Sequence, residues 1–94
     1  MLVYKAAFFV DDDGVHAEVL DFPGAVSCGK DIDEARVMIQ AALLDLAEYY
    51  LESGKALPLP NPAANDPEAE IEEPVYLLLK TASEVEVLPR EVPA

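Results

Sequence analysis

The chain has 94 residues, a formal net charge of −13, eight prolines and one cysteine. This length fits one domain, and an apolar fraction of 52% is high enough to build a core. The six Lys and Arg residues are scattered along the chain. Nucleic acids and anionic membranes are bound through clustered cations, so we expect this chain to bind neither directly.

The sequence also indicates where the protein acts. Its first residues lack the charged segment, apolar run and cleavage site of a signal peptide. No apolar stretch approaches the roughly 20 residues that span a bilayer, and a lone Cys28 excludes an internal disulfide. We therefore expect a cytoplasmic protein that does not associate with membranes.

The first third of the chain predicts three strands. Residues 2–10 are apolar on both faces, which indicates a central strand. The Asp-Gly pair at 13–14 predicts a hairpin, and residues 15–20 alternate as a half-buried strand does. Pro and Gly within 21–24 predict a turn, after which 25–28 form a short third strand.

One long helix is predicted over residues 33–53. Asp31 and Glu34 have the spacing of a capping box ahead of an apolar run, and Gly54 and Pro58 end the helix. Apolar residues at spacings of three and four define the face that packs on the sheet. They are Ile32, Ala35, Ile39, Ala42, Leu43, Leu46 and Tyr50.

A second apolar line, formed by Val37, Ala41, Leu44 and Leu51, runs along the helix away from that face. It is either a set of scattered surface residues, which are common, or a subunit contact. A domain this small buries a modest share of its surface, so a homo-oligomer, a dimer or a tetramer, would stabilise it. The predicted interface combines this line with the last strand: Val37, Leu44, Leu51, Val85 and Val87.

The remainder of the chain begins with a Pro- and acid-rich connection over residues 58–74, predicted to be extended and exposed. Residues 75–80 predict a strand, and 84–88 predict another, either an edge of the same sheet or an arm onto a partner. We thus expect a single domain over 1–88 and a tail over 89–94. A basic partner would first meet the acidic side chains of the connection, which otherwise form a solvated loop: Asp66, Glu68, Glu70, Glu72 and Glu73.

Strands followed by one long helix predict an α+β domain. We expect an antiparallel sheet of three to four strands with the helix packed on one face. No group of residues in the sequence has the spacing of a catalytic site, a metal site or a cofactor site. Asp11–Asp13 fit a solvated hairpin tip, His16 an exposed strand position, and Cys28 a buried structural thiol. We therefore predict a binding protein and not an enzyme.

Several ordered motifs resemble the HicB-like antitoxin family. A strand, an acidic hairpin and a second strand lead into the Phe-Pro-Gly turn at 22–24. Ser27–Ala35 resembles the family's short strand and helix opening, and Gly54–Pro60 resembles its Gly-x-x-x-Pro-x-Pro helix exit. The resemblance covers residues 1 to about 60 and the strand at 75–80.

The resemblance implies a partial ribonuclease H-like fold without the nuclease carboxylates. It also implies a homo-oligomer that inhibits a small basic ribonuclease toxin of the HicA type. Family members usually add a C-terminal DNA-binding domain, for which residues 81–94 are too short and too acidic, so we expect a stand-alone domain. The alternative is an orphan HicB-like oligomer that binds another protein or a small ligand without catalysis.

Overall fold

The computed structural model describes residues 1–80 and 85–88; the predicted tail 89–94 lies outside the described residues. One helix packs against one face of a five-stranded antiparallel sheet of order β3-β2-β1-β4-β5. The elements in chain order are β1 (Leu2–Asp11), β2 (Gly14–Val19), β3 (Val26–Gly29), α1 (Ile32–Glu52), β4 (Ile71–Leu79) and β5 (Val85–Leu88). The predicted α+β class is confirmed.

The sheet has five strands and not three to four, because the last segment belongs to it. In β5, Val87 lies opposite Leu77 of β4 in an antiparallel register. Of the two predicted alternatives for this segment, the structure therefore shows the edge strand of the same sheet. β1 is the central strand, as its two apolar faces predict.

Strand β4 begins at Ile71, four residues before the predicted strand, so residues 71–74 of the predicted connection are part of the sheet. Pro74 is accommodated because it lies opposite Lys5. The backbone N–H and C=O of Lys5 point toward β2, where they bond Asp21 and Leu20. Pro74 thus occupies a position where no N–H is required toward β1.

Helix α1 begins as its capping pattern predicts. The Asp31 carboxylate accepts the Glu34 N–H at 2.8 Å, and the Glu34 carboxylate accepts the Lys30 N–H at 3.0 Å. Gly29 precedes this turn, and a Cβ there would lie 2.4 Å from the backbone nitrogen of Ala35. Only glycine allows β3 to approach the first helical turn this closely.

The core lies between α1 and the inner face of the sheet. The helix contributes Ala35, Ile39, Leu43 and Ala47 at a regular spacing of four. The ring of Phe22 packs edge-on against Tyr4 and Tyr50, at centroid distances of 5.2 and 5.3 Å. The largest fully buried side chains are Tyr4, Phe8, Phe22, Ile39, Leu43 and Leu77.

The crossover segment, residues 55–70, connects α1 to β4 without a helix or strand and is held to the sheet by polar contacts. The Tyr4 hydroxyl donates to the Pro58 carbonyl at 2.6 Å. The buried Asp21 carboxylate accepts the Lys5 and Asn61 N–H groups, each at 2.9 Å. Residues 58–70 of the predicted connection contain no helix or strand, and these bonds fix their path.

Candidate functional site

A groove of about 500 Å³ separates the helix from the edge strand, and we call it the α1–β5 groove. The groove exists because α1 packs mainly on β2 and β3 and covers the opposite edge of the sheet, at β5, less fully. Four of the five residues predicted for the oligomer interface line it together. The lining residues are Val37, Gln40, Ala41, Leu44, Glu48, Lys80, Val85, Glu86 and Val87.

The two walls of the groove differ in exposure. On the helix, Val37 is 65% exposed, Ala41 is exposed and Leu44 is partly buried. On the sheet, Val85 is 6% exposed and Val87 is partly buried. The groove therefore offers apolar surface to a partner on its helical wall, while its sheet wall is already packed within the domain.

Leu51, the fifth predicted interface residue, is not part of the groove lining. It is partly buried and packs against the hydrophobic core, near the end of α1. At the rim of the groove, Lys80 and Glu86 form an ion pair at 3.6 Å. These charges border an otherwise largely apolar helical wall.

A second candidate surface, which we call the acidic end, lies where β1 ends and α1 begins. Register places Asp11 opposite Gly14, Val15 opposite Gly29, and Phe8 opposite Ile71. The β1–β2 hairpin, the helix N-terminus and the end of the crossover segment therefore meet at one edge of the domain. The carboxylates placed there are Asp11, Asp12, Asp13, Asp31, Asp33, Glu34, Glu68 and Glu70.

Few cations balance these carboxylates. Within residues 1–80 and 85–88, Asp33 alone among them forms an ion pair, at 3.0 Å from Arg36. Of the other described cations, Lys30 lies at this end beside the hairpin carboxylates. Lys5 lies in the middle of β1, Lys80 lies toward the opposite end of the sheet, and Lys55 follows the C-terminus of α1. The domain consequently has a negative end and a less negative end, which produces a directed field.

The acidic residues predicted to bind a partner fall into two groups. Glu68 and Glu70 are exposed at the acidic end, next to the partly buried Asp66. Glu72 accepts the Asp66 N–H at 2.7 Å and lies 3.8 Å from the Lys5 ammonium. Glu73 is only 9% exposed, and its carboxylate makes contacts within the domain.

Glu73 makes a bidentate pair with Arg36, with distances of 2.8 and 3.0 Å. This hydrogen bonding to Glu73 raises the pKa of Arg36 above its ordinary value, although burial acts in the opposite direction. The guanidinium also lies over the Phe8 ring, 5.9 Å from its centroid. The pair links the helix to β4 beside the α1–β5 groove.

A cleft of about 300 Å³ lies between the crossover segment and strands β1 and β4. Tyr4 and Asp21 form part of its lining. Burial, and then the Asp21 charge, raise the pKa of Tyr4 from 10.0 to about 12. The phenol therefore stays protonated at neutral pH and donates to Pro58.

Cys28 is exposed, so the prediction of a buried thiol is wrong. It lies on edge strand β3, opposite His16 of β2, on the face that does not contact α1. His16 is exposed as predicted, and its Nε2 is 3.8 Å from the Glu18 carboxylate. Sequence alternation alone does not reveal that β3 is an edge strand.

The acidic end was missed by sequence reasoning, which considered each acidic segment separately. The signal was present in the predicted order of elements, since a hairpin tip and the start of the following helix can meet at one sheet edge. Within residues 1–80 and 85–88, no three His, Cys, Asp or Glu side chains are arranged to hold a metal ion. No helix in the same residues is long and apolar enough to cross a membrane.

Comparison with known proteins finds no match for the chain, either among protein-family models or among curated protein sequences. The likeness to HicB-like antitoxins consequently rests on the motifs in the sequence.

Proposed function

We propose that this protein is a HicB-like antitoxin that acts in the cytoplasm by binding and inhibiting a small basic ribonuclease toxin. The fold observed, a helix on one face of an antiparallel sheet, is compatible with the partial ribonuclease H-like fold that the resemblance implies. The observation that carries the proposal is the acidic end, where exposed carboxylates with few compensating cations would attract a basic protein.

The position of the acidic end reduces the number of acidic residues that we expect to contact a partner. Glu68 and Glu70 remain candidates because they are exposed, and the hairpin Asp11–Asp13 extends their surface. Glu72 and Glu73 would act indirectly, by holding the crossover segment and the helix in place. An inhibitor that covers a toxin's RNA site needs no catalytic group of its own.

A ribonuclease assay tests this proposal. A reading frame adjacent to that of this chain, encoding roughly 60 to 80 residues rich in Lys and Arg, would supply the toxin. We expect the purified chain to stop RNA cleavage by that protein, with binding that weakens as salt rises. The double variant Glu68→Lys/Glu70→Lys should bind at least tenfold more weakly.

The control is Asp45→Lys/Glu52→Lys, which changes the net charge equally at exposed positions on α1. Equal weakening by both double variants would show a dependence on net charge and contradict a binding surface at the acidic end. Unimpaired cleavage in the presence of the wild-type chain would contradict the antitoxin function itself.

The α1–β5 groove favours a second candidate function, an orphan HicB-like oligomer that binds another protein or a small ligand. Its exposed helical wall suits self-association as a dimer or tetramer whether or not a toxin exists. Leu44→Lys or Leu51→Lys should weaken such an oligomer because each places a charge in an apolar contact. Sedimentation of the variants measures this, and unchanged masses for both would rule out this side of α1 as the contact.

A further inference from the structure

One side of α1, which forms the helical wall of the α1–β5 groove and continues beyond it to Leu51, has the spacing of a helix-pairing seam. Val37, Ala41, Leu44, Glu48 and Leu51 follow one another at intervals of four, three, four and three residues. This is the alternation of the a and d positions of a heptad, which favours a second helix packed at a small crossing angle. The core-facing line of α1 instead keeps a regular spacing of four.

We infer that this seam binds the α1 helix of a second copy of the chain, antiparallel to the first, with a two-fold axis at Leu44. The inference rests on the proposed self-association and specifies its geometry. Because a two-fold contact is reciprocal, Leu44 would meet Leu44 of the second copy, and Val37 would meet Leu51. The apolar ends of the seam then match each other.

Charge selects the antiparallel arrangement over the parallel one. A parallel pair would place Glu48 against Glu48 of the second copy, within an apolar contact. The antiparallel pair instead brings Glu48 to Gln40 of the second copy, whose amide group can donate to a carboxylate. Both side chains line the groove.

The acidic end is a second, independent reason to expect the antiparallel arrangement. It lies at the N-terminus of α1, so a parallel pair would bring two acidic ends of like charge together. A helix of 21 residues is about 30 Å long, several times the Debye length of about 8 Å at physiological salt. The antiparallel pair separates the acidic ends by about that length and also opposes the two helix dipoles favourably.

Site-directed disulfide formation tests the register. In a Cys28→Ser background, Leu44→Cys should cross-link to itself under mild oxidation, because residues on the two-fold axis come within disulfide distance. Val37→Cys alone should not cross-link, since the two copies of residue 37 would lie about 20 Å apart. An equal mixture of Val37→Cys and Leu51→Cys should give the mixed dimer on a non-reducing gel.

The outcomes distinguish a wrong helix arrangement from a failure of the proposed self-association. Self-linked Val37→Cys would show a parallel pair and overturn the geometry, as would a dimer in which neither Leu44→Cys nor the mixture cross-links. A wild-type chain that sediments as a monomer at high concentration would overturn the proposed self-association itself. Formation of the mixed dimer supports the antiparallel register even if Leu44→Cys weakens the contact.

Discussion

The two sides of helix α1 are both apolar but have different surroundings. The side with Ala35, Ile39, Leu43 and Ala47 is fully covered by the sheet. The side with Val37, Ala41 and Leu44 is open to solvent along the α1–β5 groove. The comparison shows that apolar periodicity marks both a core and an open surface, and that exposure in the folded domain identifies which is which.

Truncating a leucine on each side should give the largest contrast. Leu43→Ala should lower the free energy of unfolding by about 2–5 kcal/mol, since Leu43 is fully buried. Leu44→Ala should cost about 1 kcal/mol because its side chain is only partly buried. Urea unfolding at low protein concentration measures both, and equal losses would contradict the distinction between the two sides.

The Arg36–Glu73 pair lies at the boundary between the two sides. Arg36→Met should cost about 3 kcal/mol, because it removes the bidentate pairing of the guanidinium with a buried carboxylate. The double variant Arg36→Met/Glu73→Leu serves as the control and should recover most of that loss. If the single variant unfolds at the same urea concentration as wild type, the pair does not hold α1 to β4.

A smaller effect on the free energy of unfolding is expected from the hydrogen bond that joins the crossover segment to Tyr4 in the core. Tyr4→Phe removes the hydrogen bond to Pro58 and should cost about 1 kcal/mol at neutral pH. Because the folded-state pKa of Tyr4 is raised from 10.0 to about 12, the unfolded chain releases this proton first. The contribution of its pKa shift to stability is complete below pH 10 and is lost as pH rises to about 12.

Alkaline unfolding of the two proteins side by side checks this dependence. The other tyrosines titrate in both proteins, so the stability difference between wild type and Tyr4→Phe isolates Tyr4. That difference should shrink between pH 10 and 12. A difference that stays constant over this range would contradict the raised pKa.

The smallest effect is expected on the open side. Val37→Ser should change the free energy of unfolding of the monomer by less than about 0.5 kcal/mol, because Val37 is 65% exposed. Calorimetry at low protein concentration measures this value. A loss as large as that of Leu43→Ala would mean that the open side contributes to the core after all.

The comparison also explains what could be predicted from the sequence. The helix and the β1–β2 hairpin follow from local patterns, the capping pair at Asp31 and the Asp-Gly turn at Gly14, and the structure contains both. The start of β4 could not be predicted, because Pro74 resembles a strand breaker until its partner Lys5 is known to point toward β2.

The candidate surfaces, too, could be predicted only in part from the sequence. The residues of the α1–β5 groove were predicted from helical periodicity and from the alternation of the last strand. Their meeting in one groove required the sheet order, which no local pattern contains. Likewise, the exposure of Cys28 follows from its place on the sheet face away from α1, opposite the exposed His16.

Thermal unfolding at several protein concentrations tests most directly the claim that the open side of α1 binds a second copy. Binding of a second folded copy raises stability by mass action. The midpoint of the wild-type chain should therefore rise with concentration, while that of Leu44→Lys should stay constant. A wild-type midpoint that does not change with concentration would contradict the account.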